Sequence, residues 1–471
     1  MSSVNRAFSK PASILFAPPE KRLVSKPILE NHSVDPIEDK FPGGLRLIVK
    51  GQGVVFGRLA SKENRDNMKG FEFRVDDRKL TNLGPLQRCG DAQHGFRFRV
   101  TTDGIILEVQ KDNQWEKVCD EKNQPLPGYS VQVKADAGLD SDADCCYWFS
   151  IDSHNRVLRY GKGEVRLGTM LAELKYPDAP TDDPADIHSR DPFEWVEKVE
   201  FVSYLSDTGN VNFFPLKSFR DPVTTDPAMY VLPMDAITMD DIAHNRATVA
   251  ANLSETCQKL YYSVAGAKFK LDTPDFPHFS DAIEASIASP QGWCNKILKK
   301  KASELQFGGK GPNPDMTYLR ITMGINQGDS PGVPFVMEIW PPGHYSPVHN
   351  HAGANAIIRV LHGEITVNLY PMLSKSHLQP IGVAKFGKDN VTWISPDLNQ
   401  THQLRNTNVA GPTCITIQCY MYEEGDTEHY NYFDYLGDEG EKGHFVPDSD
   451  MDYLSFKEQM KREWITLFNN C

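Results

Sequence analysis

The 471-residue chain has no uninterrupted apolar run of about 18 residues, the length that a membrane-spanning helix requires. It also has no CxxC pair and no regular cysteine spacing. Its nine cysteines are an odd number, and the close pairs are Cys145 with Cys146 and Cys414 with Cys419. No disulfide framework follows from this pattern, which is typical of a reducing compartment. We therefore expect a cytoplasmic protein without a membrane partner.

An excess of positive charge is also missing. The formal net charge is -13 and the isoelectric point is near 5.6. Nucleic acids and anionic membrane surfaces attract clustered lysine and arginine, so neither is an expected partner. One compact basic cluster, "KILKKK" at 296–301, is interpreted as the solvated face of a helix.

The first residues lack the apolar segment of a signal peptide. Prolines and polar residues in 1–42 predict an extended tail, with a mitochondrial leader as the alternative. From 43 to 218, eight short runs such as "FEFRV" and "GFRFRV" follow one another without a helical pattern and predict an N-terminal β-sandwich domain. Within it, "YWFSIDSHNRVLRYGKGE" predicts a hairpin with His154 at a solvated turn.

Residues 219–310 predict a helical connecting segment. A helical pattern runs through "MDAITMDDIAHNRATVAANLSETCQKLYYSV", Ser280 is the expected N-cap of a later helix, and Ser289-Pro290 separates two helices. After 316 the strand patterns resume, and residues 311–471 are predicted to form a domain with a small closed or nearly closed double sheet and a C-terminal helix over "SFKEQMKREWITLF". The expected fold is mainly β.

Two histidines in this last part stand one residue apart. In a strand, residues i and i+2 point to the same face, so His349 and His351 project together while Asn350 points away. Two imidazoles can then bind one metal ion. His402 follows later, ahead of another strand pair.

The flanking residues match a known pattern. Gly343 precedes the pair and Gly363 follows it as in the cupin pattern G-x5-H-x-H-x4-E-x6-G, which is followed by a distal histidine. Ala356 stands where the acidic residue of that pattern is expected. The 311–471 region thus resembles the cupin superfamily, which implies a double-stranded β-helix (jelly roll).

Residues 316–436 further resemble the thiol dioxygenases of the cysteine dioxygenase type. The matching segments are "MTYLR", "WPPGHYSPVHNH", "THQLRNTN" and "IQCYMYEEG". The resemblance implies an Fe(II) centre with His349, His351 and His402 as ligands. It also implies further site residues, which are Arg320, Tyr318, Trp340 and His344 for substrate binding and Tyr420, Gln418 and Arg320 for catalysis.

The implied activity is the transfer of both oxygen atoms of O2 to the sulfur of a small thiol carboxylate, with cysteine or 3-mercaptopropionate as candidates. Three neutral imidazoles leave the +2 charge of the ion for a thiolate donor, which accounts for the missing carboxylate. Two departures stand out. Ala356 replaces a crosslinking cysteine of the eukaryotic enzymes, and the family's Ser-x-His-x-Tyr row is here Thr416, Gln418 and Tyr420, whose amide cannot shuttle a proton as histidine does.

Other interpretations stay open. Arg320 could form a salt bridge with Glu338 or Glu364, Tyr420 and Trp340 could be core residues, and His344, His362 and His429 could be surface residues. The chain could instead be a metal cupin lyase or isomerase acting on a small acid, with Tyr420 as general base, or a non-enzymatic binding or sensor protein. The N-terminal domain could bind sugar or protein, shield the site, or support a homo-oligomer.

Overall fold

The computed structural model describes most of the chain after residue 42. The predicted tail at 1–42 and the strand-like "VNFFPL" at 211–216 lie outside the described residues. The described ranges are 43–47, 51–59, 69–78, 92–120, 123–140, 145–178, 191–206, 217–305, 307–308, 311–323, 335–423, 432–437 and 439–469.

Two six-stranded antiparallel sheets form the N-terminal part. The strands are β1 Gly43–Leu47, β2 Gln52–Leu59, β3 Gly70–Asp76, β4 Gly95–Thr101, β5 Gly104–Lys111, β6 Gln114–Lys117, β7 Ser130–Val133, β8 Cys145–Asp152, β9 Val157–Lys162, β10 Met170–Lys175, β11 Phe201–Ser206 and β12 Lys217–Phe219. The strand orders in the two sheets are β1-β11-β3-β4-β5-β6 and β12-β2-β8-β9-β10-β7. Short 3-10 helices at Leu167–Thr169 and Glu194–Lys198 interrupt the connections.

Alternation of apolar and charged residues fixes which face of these strands is buried. In β4, Phe96, Phe98 and Val100 are fully buried, while Arg97 and Arg99 between them face outward. The apolar residues of both sheets form one continuous core, as expected for a sandwich.

The connecting segment is less helical than its sequence pattern suggests. The stretch with the helical pattern contains two separate helices, α1 (Met239–Ala243) and α2 (Glu255–Val264). Helix α1 ends because Asn245 adopts a positive φ of 51°, and the chain then extends through β14 (Ala247–Val249), which pairs with β13 (Tyr230–Leu232), before a 3-10 turn. Tertiary strand pairing has overridden local helix preference here.

Two other local predictions can be compared with the structure. Helix α3 (Phe279–Ala288) has His278 as its N-cap, so the prediction of Ser280 was wrong. Ser280 lies inside the first turn, where its backbone N–H and hydroxyl donate to Asp272 at 2.8 and 3.0 Å. The break at Ser289-Pro290 is present, and α4 (Trp293–Glu304) begins after it.

A second pair of six-stranded sheets follows the helices, with orders β21-β18-β23-β16-β15-β26 and β20-β19-β22-β17-β24-β25. Between β16 and β24 the chain alternates between the two sheets except at the β19–β20 hairpin, which gives the predicted double-stranded β-helix. The strands are β15 Leu319–Met323, β16 Phe335–Trp340, β17 Val348–His349, β18 Asn355–His362, β19 Glu364–Leu369, β20 Gly382–Gly387, β21 Val391–Ile394, β22 His402–Arg405, β23 Cys414–Met421, β24 Phe433–Leu436, β25 Lys442–Phe445 and β26 Met451–Asp452.

Helix α5 (Tyr453–Asn469) closes the chain and packs with α3 and α4 against one outer face of the β-helix. Its Phe456 is fully buried, with its ring centroid 5.4 Å from that of Trp293. Lys301 departs from the solvated-face interpretation of "KILKKK". It is buried, and its Nζ donates to the carbonyl of Tyr318 at 2.7 Å and to Asp450 at 2.9 Å.

The mainly β fold predicted from the sequence is confirmed. The seven cysteines in the described part of the chain form no disulfide with one another. No helix in that part is long and apolar enough to cross a membrane.

Candidate metal centre

Three histidines converge inside the β-helix. His349 lies in β17 and His402 begins β22, and the two residues are paired in register across these antiparallel strands. His351 lies two residues after the end of β17. One nitrogen of each ring lies within 4.8 Å of the corresponding nitrogens of the other two, and all three side chains are buried.

Backbone carbonyls orient two of these rings. Nδ1 of His349 lies 3.0 Å from the carbonyl oxygen of Pro347, and Nδ1 of His351 lies 3.3 Å from that of Gln400. With Nδ1–H as the donor, each Nε2 keeps a lone pair, which is the usual arrangement behind metal-binding histidines. Nε2 of His402 is buried and has no hydrogen-bond partner among the described residues. An ion held between the rings would satisfy this nitrogen, so the residues fit a metal.

The electrostatics also suit a metal site. The pKa of His349 is lowered to about 4, chiefly by burial and to a smaller extent by the positive charge of Arg320, although the hydrogen bond with Pro347 raises it. Burial, followed by the neighbouring imidazoles, holds the pKa values of His351 and His402 well below the usual range. The rings are therefore neutral at physiological pH, and neutral imidazole is the form that binds metal.

The carboxylate that cupins often add is absent from the cluster. Ala356 is fully buried in β18 and pairs in register with Tyr420 of β23. Across the described ranges, the three histidines form the sole group of metal-ligating side chains. The site therefore supplies three neutral nitrogen ligands.

A buried row of polar side chains lies beside the histidines. The hydroxyl of Tyr420 donates to Oε1 of Gln418, and Nε2 of Gln418 donates to Glu338. Glu338 also accepts from Nη1 of Arg320 at 2.8 Å. The ring of Tyr420 is stacked on that of His351, with centroids 5.7 Å apart. The row therefore runs from the edge of the metal site to a buried ion pair.

Burial determines the protonation of this row. It raises the pKa of Glu338 to about 7, although the charges of Arg320 and Lys301 lower it. For Arg320, burial lowers the pKa, but Glu338 together with the neighbouring Tyr318 and Tyr420 more than offsets this effect, so the net shift is upward. The pKa of Tyr420 is raised well above its usual value, chiefly by burial, so its hydroxyl is protonated at neutral pH.

Of the other residues predicted for the site, Tyr318 has its side chain beside the guanidinium of Arg320, whereas His344 lies at a surface cavity. Tyr318 and Trp340 are buried with their rings stacked at a centroid distance of 4.1 Å. His344 is turned toward Thr317, whose carbonyl oxygen lies 2.8 Å from its Nδ1, and lines a surface cavity beside α4. The structure thus groups His344 with that cavity and not with the three histidines.

The alternative ion pairs can be distinguished. Arg320 pairs with Glu338, while Glu364 lies 3.7 Å from Lys385. His362 is half-buried, 3.9 Å from Glu284, and His429 lies outside the described residues. Gln400, whose carbonyl orients His351, was missed because a loop glutamine carries no sequence signal of such a role.

No protein-family model matches the chain. Solved structures similar to part of it include the Cupin_2 domain of an XRE family transcriptional regulator from Enterobacter cloacae, with 15% identity over 23% of this chain and 98% of the other, at a TM-score of 0.18. An RmlC-like cupin protein from Desulfovibrio desulfuricans has 16% identity over 22% of this chain and 83% of the other, at a TM-score of 0.17.

A putative sugar phosphate isomerase from Acidithiobacillus ferrooxidans is also similar, with 14% identity over 28% of this chain and 79% of the other, at a TM-score of 0.18. At these identities and scores, the similarities say nothing about the activity of this chain. The histidine cluster, in its double-stranded β-helix, could bind a metal ion.

Proposed function

We propose that the chain is an iron(II)-dependent thiol dioxygenase that oxidises a small thiol to its sulfinate. The observation that carries the proposal is the buried cluster of three neutral histidines without a carboxylate. In balanced form, RSH and O2 give RSO2⁻ and one proton, so both oxygen atoms reach sulfur and no other reductant is needed.

His349, His351 and His402 would hold the metal. When bound, iron(II) would supply Lewis acidity and redox chemistry for the thiolate and O2. Because the described residues contribute no carboxylate to the cluster, the ion would keep its full charge for an anionic sulfur donor. This property distinguishes the site from a carboxylate-containing cupin centre.

Aromatic rings limit the access of water to the cluster. The ring centroid of Phe433 lies 4.9 Å from that of His351, and the ring of Phe445 lies 6.1 Å from His349. Exclusion of water strengthens electrostatic interactions within a site and protects reactive species. Tyr420, held by Gln418, would act as a protonated hydrogen-bonding group beside the substrate.

Arg320 could bind the carboxylate of a substrate, but it already forms an ion pair with Glu338. Its Nε is buried and has no hydrogen-bond partner among the residues described, so one donor remains for a carboxylate. Glu338 compensates the charge of the guanidinium, which weakens its attraction for a second anion. Cysteine and 3-mercaptopropionate remain the proposed substrates, and an uncharged analogue such as cysteamine is the informative comparison.

The lyase or isomerase alternative needs a base at neutral pH. Because the pKa of Tyr420 is raised well above its usual value, this tyrosine is poorly suited to that role. A binding or sensor protein would need no oxygen chemistry. Oxygen consumption therefore separates the proposed activity from both alternatives.

The test is oxygen uptake by the iron-loaded full chain with cysteine, 3-mercaptopropionate and cysteamine, followed by the mass of the product formed under 18O2. We expect a gain of two labelled oxygen atoms on sulfur. The His154→Gln variant, at an exposed turn of the sandwich, is a matched control that should keep the activity. Turnover of a small acid without oxygen, or metal binding without any turnover, would contradict the proposal.

A further inference from the structure

The segment Asn399–Thr401 immediately precedes the metal-cluster residue His402. It also supplies the carbonyl of Gln400, which lies 3.3 Å from Nδ1 of His351. The position of one cluster histidine and the orientation of a second therefore depend on these three residues, which we call the ligand loop. Asn399 adopts a positive φ of 60°, so the loop has a conformation that needs support from its surroundings.

That support comes from the N-terminal sandwich. Glu164, just after β9, accepts hydrogen bonds from the backbone N–H of Gln400 at 2.7 Å and of Asn399 at 2.9 Å, one on each carboxylate oxygen. The backbone of Thr401 also donates to this carboxylate. Glu164 is buried, so these charge-assisted bonds are shielded from water.

Arg166 completes the arrangement. Its Nη1 lies 3.3 Å from Oε2 of Glu164 and donates to Oδ1 of Asn399 at 3.1 Å. The guanidinium thus compensates the buried carboxylate and binds the same loop. A buried carboxylate that bonds successive backbone N–H groups fixes their direction more firmly than a single neutral contact would.

The side chain of Gln400 links the ligand loop to the segment that follows His351. Its Oε1 accepts from the backbone N–H of Gly353 at 3.1 Å, and its Nε2 donates to the carbonyls of Ala354 at 2.8 Å and Ser395 at 2.7 Å. Gly353 and Ala354 follow His351 closely in the sequence. Glu164 therefore holds a residue that ties together the segments around His351 and His402.

Gly163, the residue before Glu164, packs closely against the β-helix. Gly163 has a φ of +96°, and a Cβ atom built on it would lie 2.4 Å from the carbonyl oxygen of Pro371. The backbone N–H of Glu164 donates to that same oxygen at 3.0 Å. The close approach requires glycine at 163, and it brings the sandwich against the β-helix beside the ligand loop.

We propose that Glu164 is a positioning residue for the metal centre, so that the N-terminal sandwich completes the site by fixing the ligand loop of the β-helix. This inference rests on metal binding by the three histidines, which is part of the proposed function. It does not depend on thiol oxidation. It gives the sandwich a role that the sequence left undetermined.

The test is the affinity of the metal-free full chain for Co(II), followed by its visible absorption bands at a temperature where every variant is folded. Glu164→Ala should weaken Co(II) binding by about 10- to 100-fold, the usual effect of removing a group that orients metal ligands. Glu164→Gln should have a smaller effect. The amide oxygen can still accept from the backbone N–H of Asn399 or Gln400, but the amide nitrogen cannot accept from the other. The bands should also shift as the ligand geometry loosens.

Glu173→Gln is the matched control. Glu173 lies on β10 of the same sandwich, where it pairs with Arg159 at 2.7 Å, so the variant also loses a carboxylate from an ion pair. We expect its Co(II) affinity and spectrum to equal those of the unmodified chain. A purely structural role for Glu164 would lower the melting temperature of the metal-free protein while Co(II) affinity and spectrum stayed unchanged.

That outcome in folded Glu164→Gln and Glu164→Ala would overturn the inference, as would failure of the unmodified chain to bind Co(II). The readout contains neither thiol nor oxygen. If Co(II) binding responds as expected but iron-loaded protein consumes no oxygen, the proposed function fails while the role of Glu164 stands.

Discussion

Arg320 and Glu338 form an ion pair inside the β-helix, with 2.8 Å between Nη1 and Oε1. They are directly opposite each other on the antiparallel strands β15 and β16, and both are buried. Through Gln418 the same carboxylate is connected to Tyr420 at the metal site. The arginine that the sequence offers for substrate binding is thus already engaged by the protein.

Glu338→Met should lower the free energy of unfolding by about 3–5 kcal/mol, because it leaves the guanidinium of Arg320 buried without its partner. The double variant Arg320→Met/Glu338→Met should be more stable than either single variant, since neither charge is then left alone. Urea denaturation of the metal-free protein measures all four free energies. Additive losses in the double variant would mean that the two charges do not depend on each other.

Arg320→Ala should raise KM for cysteine more than for cysteamine. A charge-assisted hydrogen bond to a carboxylate contributes about 1.5–3 kcal/mol, which corresponds to a selective increase of about 10- to 100-fold. Steady-state oxygen uptake with cysteine and with cysteamine measures both KM values. An increase in KM that is the same for both thiols is attributed to Glu338, which has lost its partner in this variant. Equal increases for the two thiols would exclude a carboxylate contact at Arg320.

His351→Ala should abolish stoichiometric iron loading, because it removes one of three ligands and no carboxylate of the described residues belongs to the cluster to replace it. Metal analysis after anaerobic reconstitution measures the effect. His154→Gln, which removes a histidine from an exposed turn, should load normally. Full iron content in the His351→Ala protein would show that the metal binds elsewhere.

The metal-free protein should lose stability as the pH falls from about 6.5 to about 4. In this window His349, with a pKa of about 4 in the folded state, stays neutral, whereas an unfolded histidine takes up a proton near 6.5. The unfolded state therefore binds more protons, and this one residue lowers the unfolding free energy by about 1.4 kcal/mol per pH unit.

Chemical denaturation of chelator-treated protein at several pH values measures this slope. In His349→Gln the dependence should be shallower by about the same 1.4 kcal/mol per pH unit. His154→Gln controls for the loss of a histidine as such. An identical slope in His349→Gln and the unmodified chain would contradict neutral burial of His349.

The strand pattern and the histidine spacing were readable because both depend on local periodicity. Alternation in "GFRFRV" reflects the two faces of one strand, and the separation of His349 and His351 places both rings on one side of the chain. The helix pattern failed at Asn245 for the opposite reason. The secondary structure there is determined by strand pairing between Tyr230–Leu232 and Ala247–Val249. The partner of a strand cannot be read from its local sequence.

Long-range polar contacts were the hardest to predict. Glu338 was one of two acids considered for Arg320, and its position in the apolar strand "FVMEIW" was the available signal of a buried partner. Glu164 gave no such signal, because it follows a strand in the turn sequence "GKGE" and its partners Asn399 and Gln400 lie in another part of the chain. Only the folded arrangement brings them together.

Strand β17 has just two residues and lies between β22 and β24. So short a strand has few backbone hydrogen bonds with which to hold its neighbours, yet it contains His349 opposite His402. An ion bound by both residues would act as a cross-link at the middle of the sheet. Removal of the ion by a chelator would therefore abolish activity and also weaken the sheet, because it would remove the link between β17 and β22.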